Sequence, residues 1–222
     1  SKKNMRELLE KIFISNEELS DGNKQKMINY LDDDVTHHLF LTVLSNLRTR
    51  NEFCKSKSLI ELLGDCIVKI LESSEVNEDY HNVKNCLILS QTFYYENKEN
   101  KEEPKVFIIE KIKNNKWLND PEFWRIFIDK MIQESIQKFS KDTFGDENYI
   151  ELEKKNINLP EKSIKKISKI LFSQLITYIT NMNEFNIDKQ YIVKIVDNFS
   201  AKYGYLSKDH IDNILSSINI DP

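Results

Sequence analysis

Three cysteines and four histidines are the side chains best suited to metal or nucleophilic chemistry in this chain, and their spacing serves neither. Cys54, Cys66 and Cys86 stand 12 and 20 residues apart, which fits no zinc site. Each falls in or beside an apolar helical stretch, where a thiol behaves as a small buried hydrophobe. His37 and His38 are adjacent, hence about 100° apart on a helix, and do not form an i, i+4 ligand pair. His81 and His210 are isolated in the sequence. Asp32, Asp33 and Asp34 offer carboxylates to a cation, yet the glycine that turns a Ca2+ loop is missing. No GxSxG, HExxH, Walker A or Cys–His pattern occurs. The chain reads as having no catalytic residue, no cofactor and no metal.

Residues suited to binding are easier to find. Lys162, Lys165, Lys166 and Lys169 recur at helical spacing on one face, opposite much of the apolar stripe of their helix. That face suits an acidic partner or weak, salt-sensitive contact with an anionic membrane; its structural alternative is a solvated helix surface. Ser90, Gln91 and Thr92, with Tyr94 and Tyr95, are the polar part of an otherwise apolar helix. They either line a groove for a partner helix or serve the fold, with Ser90 and Thr92 bonding back to helix carbonyls and Gln91 tying a loop. Trp117, Phe123 and Trp124 are anchors of a core or of an interface. Helical spacing places Trp124 in the core and leaves Trp117, in a connection, as the exposed aromatic. Of Arg6, Arg48, Arg50 and Arg125, only Arg48 and Arg50 fall in an exposed connection. An activating arginine finger for a GTPase would have to stand there.

The elements that position these residues are helices almost throughout. Stripes run through Met5–Phe13, Lys24–Leu31, Val35–Leu47 and Leu59–Leu71. One of Asp32–Asp34, and Ser56 or Ser58, are the expected N-caps of the third and fourth helices. Asn82–Tyr95 is apolar nearly all round and reads as a central helix. Pro104 is placed in the first turn of the next helix, and Asn119-Asp120-Pro121-Glu122 starts a long one. Ser140–Leu159 loses periodicity and reads as a hinge or long loop at 140–160. Pro160-Glu161 restarts the helix that carries the lysines, Gly204 ends another, and Ser207 caps the last. About ten helices and no strand are expected, in one domain spanning 1–222. They pack as antiparallel hairpins, in a HEAT-like irregular array or a compact bundle.

Composition supports that class. The 222 residues include four Gly and four Pro, too few for the turns of an all-β fold or for a phosphate-cradling glycine loop. The 40% hydrophobic content is enough for a core despite 31% charged residues. A net charge of −4 and pI near 5.7 argue against a nucleic-acid partner. No apolar run approaches the roughly 20 residues of a membrane helix, and odd, buried cysteines fit a reducing, cytoplasmic setting. The opening Ser1-Lys2-Lys3 is compatible with a domain cut from a longer protein.

One ordered series says more. Asn82-Val-Lys-Asn-Cys-Leu-Ile-Leu-Ser-Gln-Thr-Phe-Tyr-Tyr95 is followed by Lys105-Val-Phe-Ile-Ile109, Trp117 and Pro121-Glu-Phe-Trp124. Then come Ile132-Gln-Glu-Ser135, Phe172-Ser-Gln-Leu175, Asn181-Met-Asn-Glu-Phe185 and Phe199-Ser-Ala-Lys-Tyr203. From about residue 36 to 217 this resembles the helical SET-binding-factor domain of myotubularin-related pseudophosphatases and some smaller proteins. No DENN, PH or phosphatase sequence accompanies it here. The resemblance implies an all-α, non-catalytic scaffold or adaptor, within a regulator of small-GTPase signalling, membrane trafficking or the cytoskeleton. It supplies no active-site residues. The alternative is a small GTPase-activating or exchange domain acting through Arg48 or Arg50. Expected partner-binding residues are Trp117, Gln91, Tyr95, Arg48, Arg50, Lys162, Lys165, Lys166 and Lys169. The expected partner is a protein, a small GTPase or its regulator among the candidates.

Overall fold

A computed structural model describes residues 2–14, 20–49, 56–145 and 159–220. They hold ten helices and one two-stranded sheet; the fold is all-α. The chain divides into two compact units, Ser1–Asn115 and Lys116–Pro222. The division follows the turn after Ile112 and precedes the segment expected to act as a hinge.

The first unit comprises α1 (Lys2–Ile14), α2 (Asp21–Tyr30), α3 (Asp34–Thr49), α4 (Lys57–Asn77), α5 (Tyr80–Ser90), β1 (Tyr94–Glu96), β2 (Lys105–Phe107) and α6 (Ile109–Ile112). Short polar side chains set the helix starts. Ser20, Ser56 and Asp79 accept the amides of Asn23, Leu59 and Asn82 at 3.4, 3.3 and 3.0 Å. Asp33 accepts that of Val35 at 3.1 Å, so it is the capping member of the aspartate run. Each bond satisfies an amide that the first helical turn leaves without a partner. α1 and α5 pack on α3, α2 and α6 pack on α4, and α4 packs on α5. Ile60, Leu63, Cys66, Ile67, Ile70 and Leu71 of α4 are all buried, at about 1.5–3 kcal/mol for each large aliphatic side chain.

Two stretches depart from the sequence reading. In α3 Val35 is 50% exposed while Thr36 and His37 are buried. The Thr36 hydroxyl bonds to the carbonyls of Tyr30 and Asp33, and His37 Nε2 lies 2.6 Å from the Leu31 carbonyl. Two polar side chains thereby go inside to satisfy carbonyls where α2 ends. The second departure is a hairpin where only helix was expected. α5 stops at Ser90, and Tyr94, Tyr95 and Glu96 pair antiparallel with Phe107, Val106 and Lys105. Ser90 and Thr92 do bond back, to the carbonyls of Leu87 (2.9 Å) and Ile88 (2.6 Å), and the helix ends there. The β-branched and aromatic run that follows favours a pleated strand. Tyr94 packs on Phe107 with ring centroids 5.2 Å apart, and Lys105 Nζ lies 4.7 Å from the Tyr94 centroid. Pro104 stands at the entrance to β2, where no amide is needed. Its carbonyl accepts the Asn97 amide at 2.6 Å.

The second unit holds α7 (Pro121–Phe144), α8 (Glu161–Glu184), α9 (Lys189–Tyr203) and α10 (Lys208–Ser216), with α8 packed on each of the others. Asp120 caps α7 with Pro121 in the first turn, Asp188 caps α9, Gly204 ends α9 at φ 65°, and Ser207 caps α10. The α7 helix runs on through Ser140 to Phe144, so the loss of periodicity at Ser140 does not end it. Residues 146–158 of the expected hinge lie outside the described residues. Phe127 of α7 meets Tyr178 of α8 at 4.8 Å, and Trp124 meets Phe185 at 5.7 Å. Trp124 is fully buried and donates its indole N–H to the Leu118 carbonyl at 2.8 Å.

Candidate functional site

The beginning of α7 packs on the end of α8, so the two helices run antiparallel and the end of α7 lies beside the start of α8. The lysines are at that start. Ile167, Leu171, Leu175, Ile179 and Met182 are fully buried, which turns Lys162, Lys165, Lys166 and Lys169 outward as an exposed ridge. At 100° per residue, Ser163 sits between the ridge and the core on the α7 side, while Ser168 and Phe172 sit on the α10 side.

Each flank of the ridge opens into a cleft. On one side a cleft of about 570 Å³ is walled by Phe139 and Thr143 of α7 and by Ser163 with the four lysines of α8. On the other, a cleft of about 390 Å³ lies between α8 and the segment leading into α10. Its lining includes Ile164, Ser168, Phe172, Tyr205 and His210, and Lys165 and Lys169 border both clefts. The His210 ring stacks on Phe172 at 4.8 Å, and its Nδ1 lies 3.4 Å from Ser168 Oγ. His210, isolated in the sequence, therefore has neighbours once α10 folds against α8.

Electrostatically the ridge is under-compensated. Lys165 pairs with Glu161 at 2.6 Å, with both side chains mostly exposed, a geometry that adds little stability. Among the described residues no carboxylate lies within ion-pair distance of Lys162, Lys166 or Lys169. Pro160 gives α8 no side-chain cap. Four cations thus stand in the first nine residues of a helix, and Lys162 is in the first turn, where the backbone dipole is already positive. Stability alone would favour acids there.

Away from the ridge, one charged cluster joins two helices. Asp129 of α7 binds Lys202 Nζ (2.6 Å) and Tyr203 OH (3.0 Å) of α9, and burial and then the Asp129 charge push the Tyr203 phenol up. Both Glu122 carboxylate oxygens accept from Arg125 Nε at 2.9 Å, and Oε1 also accepts from Nη2 at 2.5 Å. That hydrogen bonding holds the Glu122 carboxyl below its usual range.

Other expected binding residues are placed differently. Trp117 is half-buried, its ring 4.6 Å from Phe123, so it is not a freely exposed anchor. Gln91 is the C-cap of α5 and Tyr95 is in β1, both half-buried. The polar helix face that joined them in the sequence reading is replaced by a helix end and a strand. Arg48 is half-buried in the last turn of α3, and Arg50 lies outside the described residues, as does Cys54. Gln91, Tyr95 and Arg48 belong to the first unit; Trp117 and the lysines belong to the second. The structure brings together the lysines and adds Phe139, Thr143, Ser163, Ser168, Phe172, Tyr205 and His210.

The Ser168–His210 pair invites comparison with a nucleophile and base. Among the described residues no carboxylate bonds the other His210 nitrogen. Ser168 is also in mid-helix, where backbone amides are spent on the ladder and cannot form an oxyanion hole. Cys66 and Cys86 are buried; burial, with Asp65 adding, pushes the Cys66 thiol up to about 12, and burial raises Cys86 as well. Neither is a thiolate near neutral pH. Among the described residues no group of three or more His, Cys, Asp or Glu could hold a metal ion, and no helix is long and apolar enough to cross a membrane. No protein-family model, curated protein or solved structure matches this chain.

Proposed function

We propose that this chain is a non-catalytic helical interaction module that docks an acidic segment of a partner protein across the lysine ridge of α8. The observation that carries the reading is that, among the described residues, no carboxylate pairs with Lys162, Lys166 or Lys169 on the ridge between two clefts. Lys162, in the first turn, opposes the helix dipole, so an anionic partner beside it relieves that cost. The clefts give such a partner apolar anchorage against Phe139 on one side and Ile164, Phe172 and Tyr205 on the other. An aromatic floor with a charged rim is the anatomy of a docking surface.

The partner class to test first is the one read from the sequence, a small GTPase or one of its regulators. Wild-type chain and the triple variant Lys162→Glu, Lys166→Glu, Lys169→Glu serve as baits in lysates loaded with GTP analogue or with GDP. Proteins held by the wild type and lost from the variant, with the variant's circular dichroism unchanged, support the reading. Equal capture by both baits refutes it.

A further inference from the structure

We infer that the ridge and apolar cleft of α8 dock on a second copy of this chain, whose acidic segment is the C-terminal end of α4. This rests on the docking reading above, that the ridge takes an acidic segment, and names a protein that supplies one.

Val76 is the central observation. It is 83% exposed, more than any other large apolar residue among the described residues. It lies in the last turn of α4, in a run of exposed residues with Glu75, Asn77 and Glu78. At 100° per residue Glu72 stands 40° from Val76 and Glu75 stands 100° from it, both to the same side. To the other side Ser73 and Asn77 donate to the Asp34 carboxylate at 3.0 and 3.4 Å, and Lys69 is held by Asp32 at 2.5 Å. Among the described residues no cation lies within ion-pair distance of Glu72, Glu75 or Glu78. The last turn of α4 holds no basic residue, although the backbone dipole is negative there. Glu78 also caps the helix at φ 51°, a left-handed conformation that favours Gly or Asn. Stability alone would favour a cation and a glycine at this end, and the chain has an exposed valine edged by acids.

The outer face of α8 is the complement of that pattern. Its cleft on the α10 side is lined by Ile164, itself 36% exposed, with Phe172 and Tyr205. Passing round α8 from this cleft, the lysines follow in the order Lys165, Lys169, Lys162 and Lys166. An apolar hollow is thus bordered on one side by cations, as Val76 is bordered on one side by acids. With Val76 seated against Ile164 and Phe172, Glu72 and Glu75 fall over the lysines. Glu75 and Lys162 each stand in a terminal turn whose dipole they oppose, so bringing the two helix ends together offsets both costs.

Both halves of this contact belong to one sequence, the acidic end to the first unit and the ridge to the second, so any two copies can make it. Whole molecules of net charge −4 repel. The attraction therefore acts only between the local patches, within a Debye length of about 10 Å at 0.1 M salt. The contact joins two different patches, so it closes into a ring or extends into chains of copies. One valine and a few exposed charge pairs make a small interface of the weak, transient class. A second copy and an acidic partner protein compete for the same lysines, and a partner of higher affinity displaces the copy.

The experiment is sedimentation velocity of the full chain over a range of protein concentrations. In about 0.1 M NaCl the average mass of the wild type should rise with concentration to at least about twice that of the monomer, as two joined copies require. In about 1 M NaCl, where the Debye length is about 3 Å, it should return to the monomer. The acid variant Glu72→Lys, Glu75→Lys, Glu78→Lys and the ridge variant Lys162→Glu, Lys166→Glu, Lys169→Glu should each be monomeric alone, with circular dichroism unchanged. Mixed in equal amounts they should associate again, because each supplies the face that the other lacks. Val76→Ser should weaken association of the wild type about tenfold, the effect of leaving one valine unburied. A wild type that stays monomeric up to its solubility limit overturns the inference; the lysate comparison above then decides the docking reading by itself. Association that survives about 1 M NaCl, or that either charge variant keeps, overturns this placement of the contact. A mixture of the two variants that stays monomeric overturns the pairing of ridge with acidic end. Self-association that meets all these expectations, with equal capture of lysate proteins by both baits, supports the inference and refutes docking of another protein.

Discussion

Replacing Lys162 by glutamate should make the protein more stable. Lys162 is the second residue of α8, inside the turn where the helix dipole is felt, and its side chain is exposed. A cation there costs, and an anion gains, about 0.3–1 kcal/mol. Lys166, four residues on, repels Lys162 by a few tenths of a kcal/mol. It would attract the substituted carboxylate by about 0.3–0.5 kcal/mol, with the acid in the favourable N-terminal position. The sum is about 1–2 kcal/mol before screening, and solvent exposure brings the expectation to about 1 kcal/mol at roughly 50 mM NaCl. Urea unfolding followed by helical circular dichroism, with a shared m-value, measures it. In about 1 M NaCl, where the Debye length is about 3 Å, the gain should fall to about 0.3 kcal/mol or less. A variant that is neutral or destabilised at low salt would refute the electrostatic reasoning. So would a gain that survives at high salt. The same substitution should weaken binding of an acidic peptide, so that stability and binding move in opposite directions.

Three further outcomes follow from the packing. Trp124→Phe should destabilise the second unit by about 2–4 kcal/mol, because the Leu118 carbonyl loses its donor and a gap replaces part of the indole; urea titration checks it. A thiol reagent at about pH 8, near the pKa of a free thiol, should leave Cys66 and Cys86 unlabelled in the native protein and label both in denaturant, read by mass spectrometry of peptides. Burial, with Glu134 adding, pushes the Tyr178 phenol up to about 12, above the value of about 10 in an unfolded chain. Its contribution is therefore full below about pH 10 and lost as the pH rises from there through about 12. Tyr178→Phe should shift the alkaline unfolding midpoint, followed by circular dichroism, to higher pH.

Local signals were legible because their physics is local. Ser56, Asp120-Pro121, Gly204 and Ser207 mark helix ends by bonding or backbone geometry within a few residues, and the structure uses all of them so. The lysine face of α8 was legible for the same reason, since helical periodicity fixes which side the stripe leaves outside. The hairpin was not. Val83–Tyr95 is apolar in either projection, and the choice between helix and strand at Tyr94 is made by pairing with Phe107, a contact the local pattern does not encode. Val35 failed likewise: the carbonyls of Tyr30 and Leu31 draw Thr36 and His37 inward against the hydrophobic order. At the site, periodicity gave the ridge but not its clefts. Those come from α7 and α10 standing beside α8, and that placement is what gives His210 its neighbours Ser168 and Phe172.

The boundary between Asn115 and Lys116 has a spectroscopic consequence. Both tryptophans, Trp117 and Trp124, fall after it, and all three cysteines fall before it. Tryptophan emission, excited selectively over tyrosine, therefore reports on one unit alone, with the Trp124 indole in contact with Phe123, Phe127 and Phe185. The accessibility of Cys66 and Cys86 reports on the other. One unmodified sample thus carries a separate, natural label in each half. Superimposable emission and thiol-exposure curves along a denaturant gradient would mean that the halves unfold as one cooperative body, and two displaced curves would assign each half a stability of its own.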